Sequence, residues 1–311
     1  MMTTMKELAR NLLAMLAVAG TLMLMLPRQK RRRSSGPIWR AKGRAKQMTE
    51  MFFLRYSLVW ISGFGAIIAL QMYEWFTAWH YMAVAVALTG PLLLQPLLAP
   101  GLTGDAGTPL LSRHSLKANV WIAIYSFIGN YFYTHYFYVV LKAEYTLPSF
   151  DLNGVPIPMF FYTHFYFSLY HTLASMALRS IERAYAPSRL RTLLYWTLTL
   201  IMAYITGAME TITIAGFPCY KFEDFHMAVI LGSAMYGIYF IVSYPMYKRI
   251  DEEGPGTTSL WMVVMEVCAT GMIVYTLLDF VRVSLGIDMR YDLQRPCKLD
   301  PSRSYFRGSL C

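Results

Sequence analysis

Between Ala118 and Leu141 the chain carries no Asp, Glu, Lys or Arg. A helix of that length crosses about 30 Å of hydrocarbon. The segment is not an ordinary lipid-facing span, because Asn119, Asn130 and His135 sit inside it among Tyr125, Tyr131, Tyr133, Tyr136 and Tyr138. Polar tips buried in lipid are costly unless they face one another, water or a ligand. The stretch therefore reads as a membrane helix with a wet, aromatic face.

The rest of the chain agrees with a membrane setting. Only 15% of its 311 residues are charged, 56% are hydrophobic and the mean hydropathy is +0.38, whereas a soluble domain carries about 25% charged residues. Seven apolar segments are long enough to span, at 52–72, 76–99, 119–141, 157–178, 193–215, 227–247 and 260–281. A shorter apolar run, Leu12 to Leu26, precedes them and reads as a signal-anchor or interfacial helix, with a cleaved targeting peptide as the alternative. The expected fold is all-α, a polytopic transmembrane helix bundle of about seven spans plus this N-terminal apolar segment. Residues 1–50 form that segment and a flexible basic cytosolic linker, 51–286 the catalytic bundle, and 287–311 a polar C-terminal tail.

Nine Lys and Arg fall between Arg28 and Lys46, immediately before a span. That placement fits a topogenic segment touching anionic lipid, and not a nucleic-acid surface. Basic residues also favour alternate loops, at Arg113 and Lys117, at Arg179 to Arg191, and at Lys248 and Arg249. The linker is therefore expected in the cytosol and the C-terminus in the lumen. Cys219, Cys268, Cys297 and Cys311 form no CxxC pair, so neither a zinc site nor a disulfide framework is indicated.

The ionisable residues of the spans fall at comparable depth. Glu74, His135, Glu210 and Asp279 lie toward the ends of alternate segments, and His80 and His164 toward the beginnings of the others. With antiparallel neighbours all six reach one leaflet, where His135 and Glu210 lie about 8–9 Å below the interface. Glu74 and His80 also suit an interfacial belt, and Asp279 a local pair with Arg282. Glu210 has no nearby cation in its own segment. A central charge costs at least about 3 kcal/mol, so this residue is expected to be a neutral acid or to pair across helices.

His164, Ser168 and His171 share one helical face, but two histidines seven apart are separated by about 10.5 Å of rise, too far to ligate one metal. The histidine boxes of membrane desaturases are absent, as are a glycine-rich nucleotide loop and a GxSxG elbow. No metal and no cofactor is expected. What remains is an aromatic cavity holding a few acids, histidines and tyrosines, suited to a flat lipophilic substrate and proton transfer. A lipid- or sterol-binding transporter or receptor is the alternative reading of the same pocket.

The block KANVWIAIYSFIGNYFYTHYFYVVL (117–141) followed by EYTLPS (144–149) resembles the signature of the cycloeucalenol cycloisomerase family. MYEWFT (72–77), FFYTHFYFSLYH (160–171), METITIAGFPCYKFED (209–224), YGIYFIVSYPMYKRIDE (236–252) and LLDFVRVSLG (277–286) resemble it too. The likeness covers most of 50–286. It implies a multi-pass isomerase of the endoplasmic reticulum membrane, acting in sterol biosynthesis without a cofactor. Such an enzyme opens the 9β,19-cyclopropane ring of cycloeucalenol to give obtusifoliol, by protonation at C19 and loss of the C8 proton. For that reaction Glu210 is the expected proton donor and Glu74 the alternative acid. His135 and His164 are candidates for the base or its relay. Asn130 and Tyr131 would orient the sterol or hold its hydroxyl, with His171 and Tyr236 also in contact with substrate. The expected partners are the sterol and membrane lipid, with no nucleic acid.

Overall fold

The computed structural model describes residues 2–28, 36–215 and 219–287. The tail expected after residue 287 and the cysteines Cys297 and Cys311 lie outside the described residues. The chain is all-α apart from two two-stranded ribbons. Its helices are α1 (Met2–Met25), α2 (Arg44–Ala69), α3 (Ala78–Leu98), α4 (His114–Ile128), α5 (Thr134–Val140), α6 (Ile157–Ala184), α7 (Arg189–Ala215), the short α8 (Phe225–Met227), α9 (Ser233–Lys248) and α10 (Leu260–Ser284). A wide π-helical turn, Gly129–Tyr133, joins α4 to α5, and a second, Ala228–Gly232, joins α8 to α9.

Among the described residues six helices are long and apolar enough to cross a membrane: Thr4–Met25, Arg44–Ala69, Ala78–Leu98, Arg189–Thr213, Phe225–Lys248 and Leu260–Ser284. The two remaining expected spans, α4–α5 and α6, fall short in hydropathy because they are the inner helices. They carry the buried polar residues Asn119, Ser126, Asn130, His164, Ser168 and His171, and they pack against α2, α3, α9 and α10. Trp121, Tyr125, Phe165 and Phe167 fill the space between them. The N-terminal helix is longer than its apolar run and lies along α7, seating Ala19, Leu22 and Leu26 against Leu194 and Ile201.

One end of the bundle is tied by buried charge. Arg179, at the end of α6, donates to Glu50 of α2 at 2.6 and 3.0 Å and to Glu252 beyond α9 at 2.7 and 3.0 Å. Lys46 reaches Glu252 at 2.8 Å and the carbonyl of Ile250 at 2.7 Å. Lys117 and His114 hold Asp251. Burial alone would raise both loop carboxyls, but hydrogen bonds from His114 and Lys117 to Asp251, and from Arg179 to Glu252, overcome it and hold each at about 2. Lys46 and Glu50 are thus buried in the first turns of α2, and the linker expected to run to Glu50 gives way to helix at Arg44. Charges at this depth are tolerated because each has a partner.

The opposite end carries the ribbons. Strand β1 (Glu144–Tyr145), after α5, pairs antiparallel with β4 (Tyr220–Lys221), after α7. Strands β2 (Asp151–Leu152) and β3 (Val155–Pro156) form a hairpin whose turn residues Asn153 and Gly154 have φ of 53° and 68°, the positive values that an Asn-Gly turn supplies.

Candidate active site

Between the α4–α5 turn, α6, α7 and α9, beneath the β1–β4 ribbon, lies a partly open cavity of about 60 Å³. With its mouth the unfilled space reaches about 670 Å³. Glu210 of α7 is the only carboxylate and the only charged side chain among the described lining residues. Around it stand the tyrosines Tyr145, Tyr220, Tyr236 and Tyr239, with Asn130 and several threonines as further polar groups. Phe137, Phe167 and Phe222 complete the apolar wall.

Local structure explains the placement of Glu210. Gly207, one turn earlier on α7, lets α9 approach so closely that an added Cβ would lie 2.8 Å from the Ser233 carbonyl oxygen and 3.2 Å from Tyr236 Cβ. That crossing sets Tyr236 beside the acid, with its hydroxyl on the same cavity wall as the Glu210 carboxyl. Among the described residues no Lys, Arg or His forms an ion pair with Glu210. The half-buried carboxyl thus faces hydroxyls and no described cation.

Asn130 sits in the Gly129–Tyr133 turn. π-Helical turns leave backbone groups out of the ordinary ladder and occur often at functional sites. Asn130 Nδ2 donates to the Ser126 carbonyl and to Thr163 Oγ1, both at 2.8 Å. Among the described residues its amide oxygen accepts no hydrogen bond. Tyr145 and Tyr220 face each other across the ribbon with ring centroids 4.6 Å apart. Burial pushes both phenols up, with the nearby Glu210 charge adding to the effect. Both therefore remain neutral hydroxyls.

The other expected site residues are placed elsewhere, each for a visible reason. The His135 ring lies beside the backbone of Asn153 and packs edge-on against Tyr138, so it sits against the β2–β3 hairpin. Tyr131 accepts Asn153 Nδ2 on its carbonyl at 2.8 Å and stacks on Phe127. His164 is buried, with Nε2 3.0 Å from Asn119 Oδ1. His171 is fully enclosed, bonded to the Phe167 carbonyl at 2.8 Å and to Ser243 Oγ at 2.9 Å. Glu74 is exposed in the turn Met72–Glu74. His80 caps the start of α3 with Thr77, and Asp279 pairs with Arg282 at 2.8 Å while accepting from Tyr136. Of the expected residues, Glu210, Tyr236 and Asn130 share the cavity.

Sequence reasoning missed Tyr145 and Tyr220, which come from loops and not from spans. Their signal was present, since both lie in blocks carrying the family resemblance. Tyr239, Thr134 and Thr163 lie in such blocks too, and Tyr239 and Thr134 stand one helical turn from Tyr236 and Asn130.

No protein-family model matches the chain, and no solved structure does. A protein of Arabidopsis thaliana named cycloeucalenol cycloisomerase is 37% identical over 256 residues, covering 81% of this chain and 91% of the relative. At that identity over most of both chains, the chain belongs to the cycloeucalenol cycloisomerase family, a family of isomerases.

Proposed function

We propose that the chain opens the 9β,19-cyclopropane ring of cycloeucalenol, or a close relative, to give the 8,9-unsaturated sterol obtusifoliol. The observation that carries the assignment of the chemistry is the uncompensated Glu210 carboxyl in a tyrosine-walled cavity. The reaction is redox-neutral and needs an acid strong enough to protonate a strained C–C bond. It also needs walls that tolerate positive charge at C9. A neutral carboxylic acid in a site shielded from water supplies the first. Aromatic faces supply the second, at about 0.5–2 kcal/mol each.

Glu210 donates its proton to C19, the C9–C19 bond breaks, and its electron pair forms the new C19–H bond. Tyr236 holds the carboxyl in place and stabilises the carboxylate that this step leaves. Asn130, through its amide oxygen, is placed to accept a hydrogen bond from a substrate hydroxyl. Loss of the C8 proton then gives the double bond. Family membership and the apolar helices support a sterol substrate and a lipid setting. We place the enzyme in the endoplasmic reticulum membrane, with the ion-paired end of the bundle facing the cytosol.

The test is expression of the chain in sterol-defined microsomes supplied with cycloeucalenol. Gas chromatography should show obtusifoliol, carrying one deuterium at C19 when the reaction runs in D₂O. Glu210→Gln should insert and fold while losing turnover by at least about 10³-fold. Well-expressed wild-type protein that converts no 9β,19-cyclopropyl sterol would refute the proposal. Activity retained by Glu210→Gln would move the acid elsewhere.

A further inference from the structure

The reaction has two proton transfers, one to C19 and one from C8, and the cavity offers one group able to make either. Among the described lining residues the ionisable groups are Glu210 and four tyrosines. Tyr145 and Tyr220 remain protonated in their surroundings, and a neutral phenol is a poor proton acceptor. The three histidines that could have served are engaged outside the lining: His135 with the hairpin, His164 with Asn119, and His171 with Phe167 and Ser243.

The geometry of the substrate class removes the need for a second group. In a 9β,19-cyclopropyl sterol the C19 methylene bridges the β face, and the C8 hydrogen is also β. C8 and C19 are both bonded to C9. The proton gained and the proton lost therefore exchange on one face, two bonds apart, within the span of the two oxygens of a single carboxyl.

We infer that Glu210 is both the acid and the base, a one-carboxyl cycle in which the proton taken from C8 regenerates the donor. This rests on the proposed reaction. In the first half, one carboxyl oxygen protonates C19 and the C9–C19 bond supplies the electron pair, leaving a C9 cation beside a carboxylate. In the second half, the C8–H bonding pair becomes the C8–C9 double bond and the carboxylate takes the proton. Atoms and charge balance with no co-reactant. The Tyr236 hydroxyl, set beside Glu210 on the cavity wall, would donate to the carboxylate between the halves, and the aromatic wall would keep solvent from competing for the cation.

The test uses the full-length protein reconstituted in lipid vesicles, with two readouts. In the first, kcat is followed from pH 5 to 9, a range in which Asp251 and Glu252 do not titrate. One carboxyl predicts a plateau on the acid side and a single descending limb, about tenfold per pH unit, as the donor ionises. A separate base predicts a second limb on the acid side. In the second, a sterol deuterated at C8 is turned over in ordinary water, and the product is examined for deuterium carried to C19 of later molecules. A single limb supports the inference, and so does C19 deuterium whatever the profile. An acid limb of unit slope with no deuterium at C19 overturns it. Wild-type protein inert toward every cyclopropyl sterol would instead refute the functional proposal, so the two failures are distinct.

Discussion

Replacing Gly207 by alanine asks whether the approach of α7 to α9 sets the chemistry. The new methyl would lie 2.8 Å from the Ser233 carbonyl oxygen, 3.1 Å from Ser233 Cα and 3.2 Å from Tyr236 Cβ. Restoring ordinary contact needs the helices to part by about half an ångström, and overpacking of this kind costs about 1–3 kcal/mol. The better helix propensity of alanine offsets up to about 1 kcal/mol of that, so the variant should fold. The parting falls directly on the Tyr236–Glu210 pair, and displacements near an ångström at a reacting group cost up to about 100-fold in rate. The expected result is a 10- to 100-fold loss of turnover, roughly, with a fall in thermal midpoint of a few degrees. The assay is the initial rate of cyclopropyl sterol conversion by gas chromatography at matched protein level, alongside thermal unfolding in detergent. Gly237→Ala is the control on the same interface. Its Cβ would meet Ala203 only at 3.7 Å, an ordinary contact. Wild-type turnover in Gly207→Ala, or equal loss in Gly237→Ala, would refute the link between this crossing and catalysis.

Tyr236→Phe removes the hydroxyl beside Glu210 while keeping the ring, and kcat should fall about 10-fold with KM little changed. An unaltered kcat would show that this hydroxyl does not act in the rate-limiting step. Cysteines placed at the paired positions Glu144 and Lys221 should, once oxidised, lock the ribbon and block turnover, with recovery on reduction. Full activity in the oxidised form would show that substrate enters by another route. Arg179→Met leaves Glu50 and Glu252 buried without their shared cation, a loss of about 3–5 kcal/mol measurable by denaturation in mixed micelles. Asp251 and Glu252 have folded values depressed to about 2. Their contribution to stability is therefore complete above the ordinary carboxylate range near pH 4 and is lost as the pH falls through 2. The thermal midpoint should drop across that window, and less steeply in Arg179→Met.

The helices were legible in the chain because a long charge-free run has few alternatives in lipid. Their ends were less so. The reading of a span at 52–72 left Lys46 and Glu50 in a flexible linker, whereas partners from Arg179 and the loop after α9 bury both in α2. Glu210 was legible for a similar reason: with no cation within its own helix, only a tertiary arrangement could accommodate it. Depth along a helix was readable from residue counting, but azimuth was not. His135 and Glu210 do lie toward the same end of the bundle, yet the His135 ring is turned to Asn153 and the Glu210 carboxyl to Tyr236. The π-helical turns at Gly129–Tyr133 and Ala228–Gly232 re-phase the faces of their helices by about one residue each, which a constant 100° step does not anticipate. The Asn153–Gly154 pair, a hairpin signature, is likewise passed over when the chain is read span by span.

The two ends of the bundle are built for opposite purposes, and the cavity volume says why. A cavity of about 60 Å³ is far less than a sterol needs, since ligand sites of suitable size run to roughly 300–1,000 Å³. Substrate entry therefore requires something to move. The ion-paired end is the wrong place for it, since opening there would expose unpaired charges on α2, α4, α6 and the loop after α9 together. The ribbon end closes by four paired residues and the Tyr145–Tyr220 contact, all of it on short segments between helices, the kind of element that opens at low cost. If the proposed reaction holds, an acid near this end would be reached by the sterol with the ribbon lifted and shielded from water with it settled. Shielding would matter to that reaction, because water reaching a C9 cation would add to it. A lock across β1 and β4 is therefore expected to stop turnover without touching Glu210.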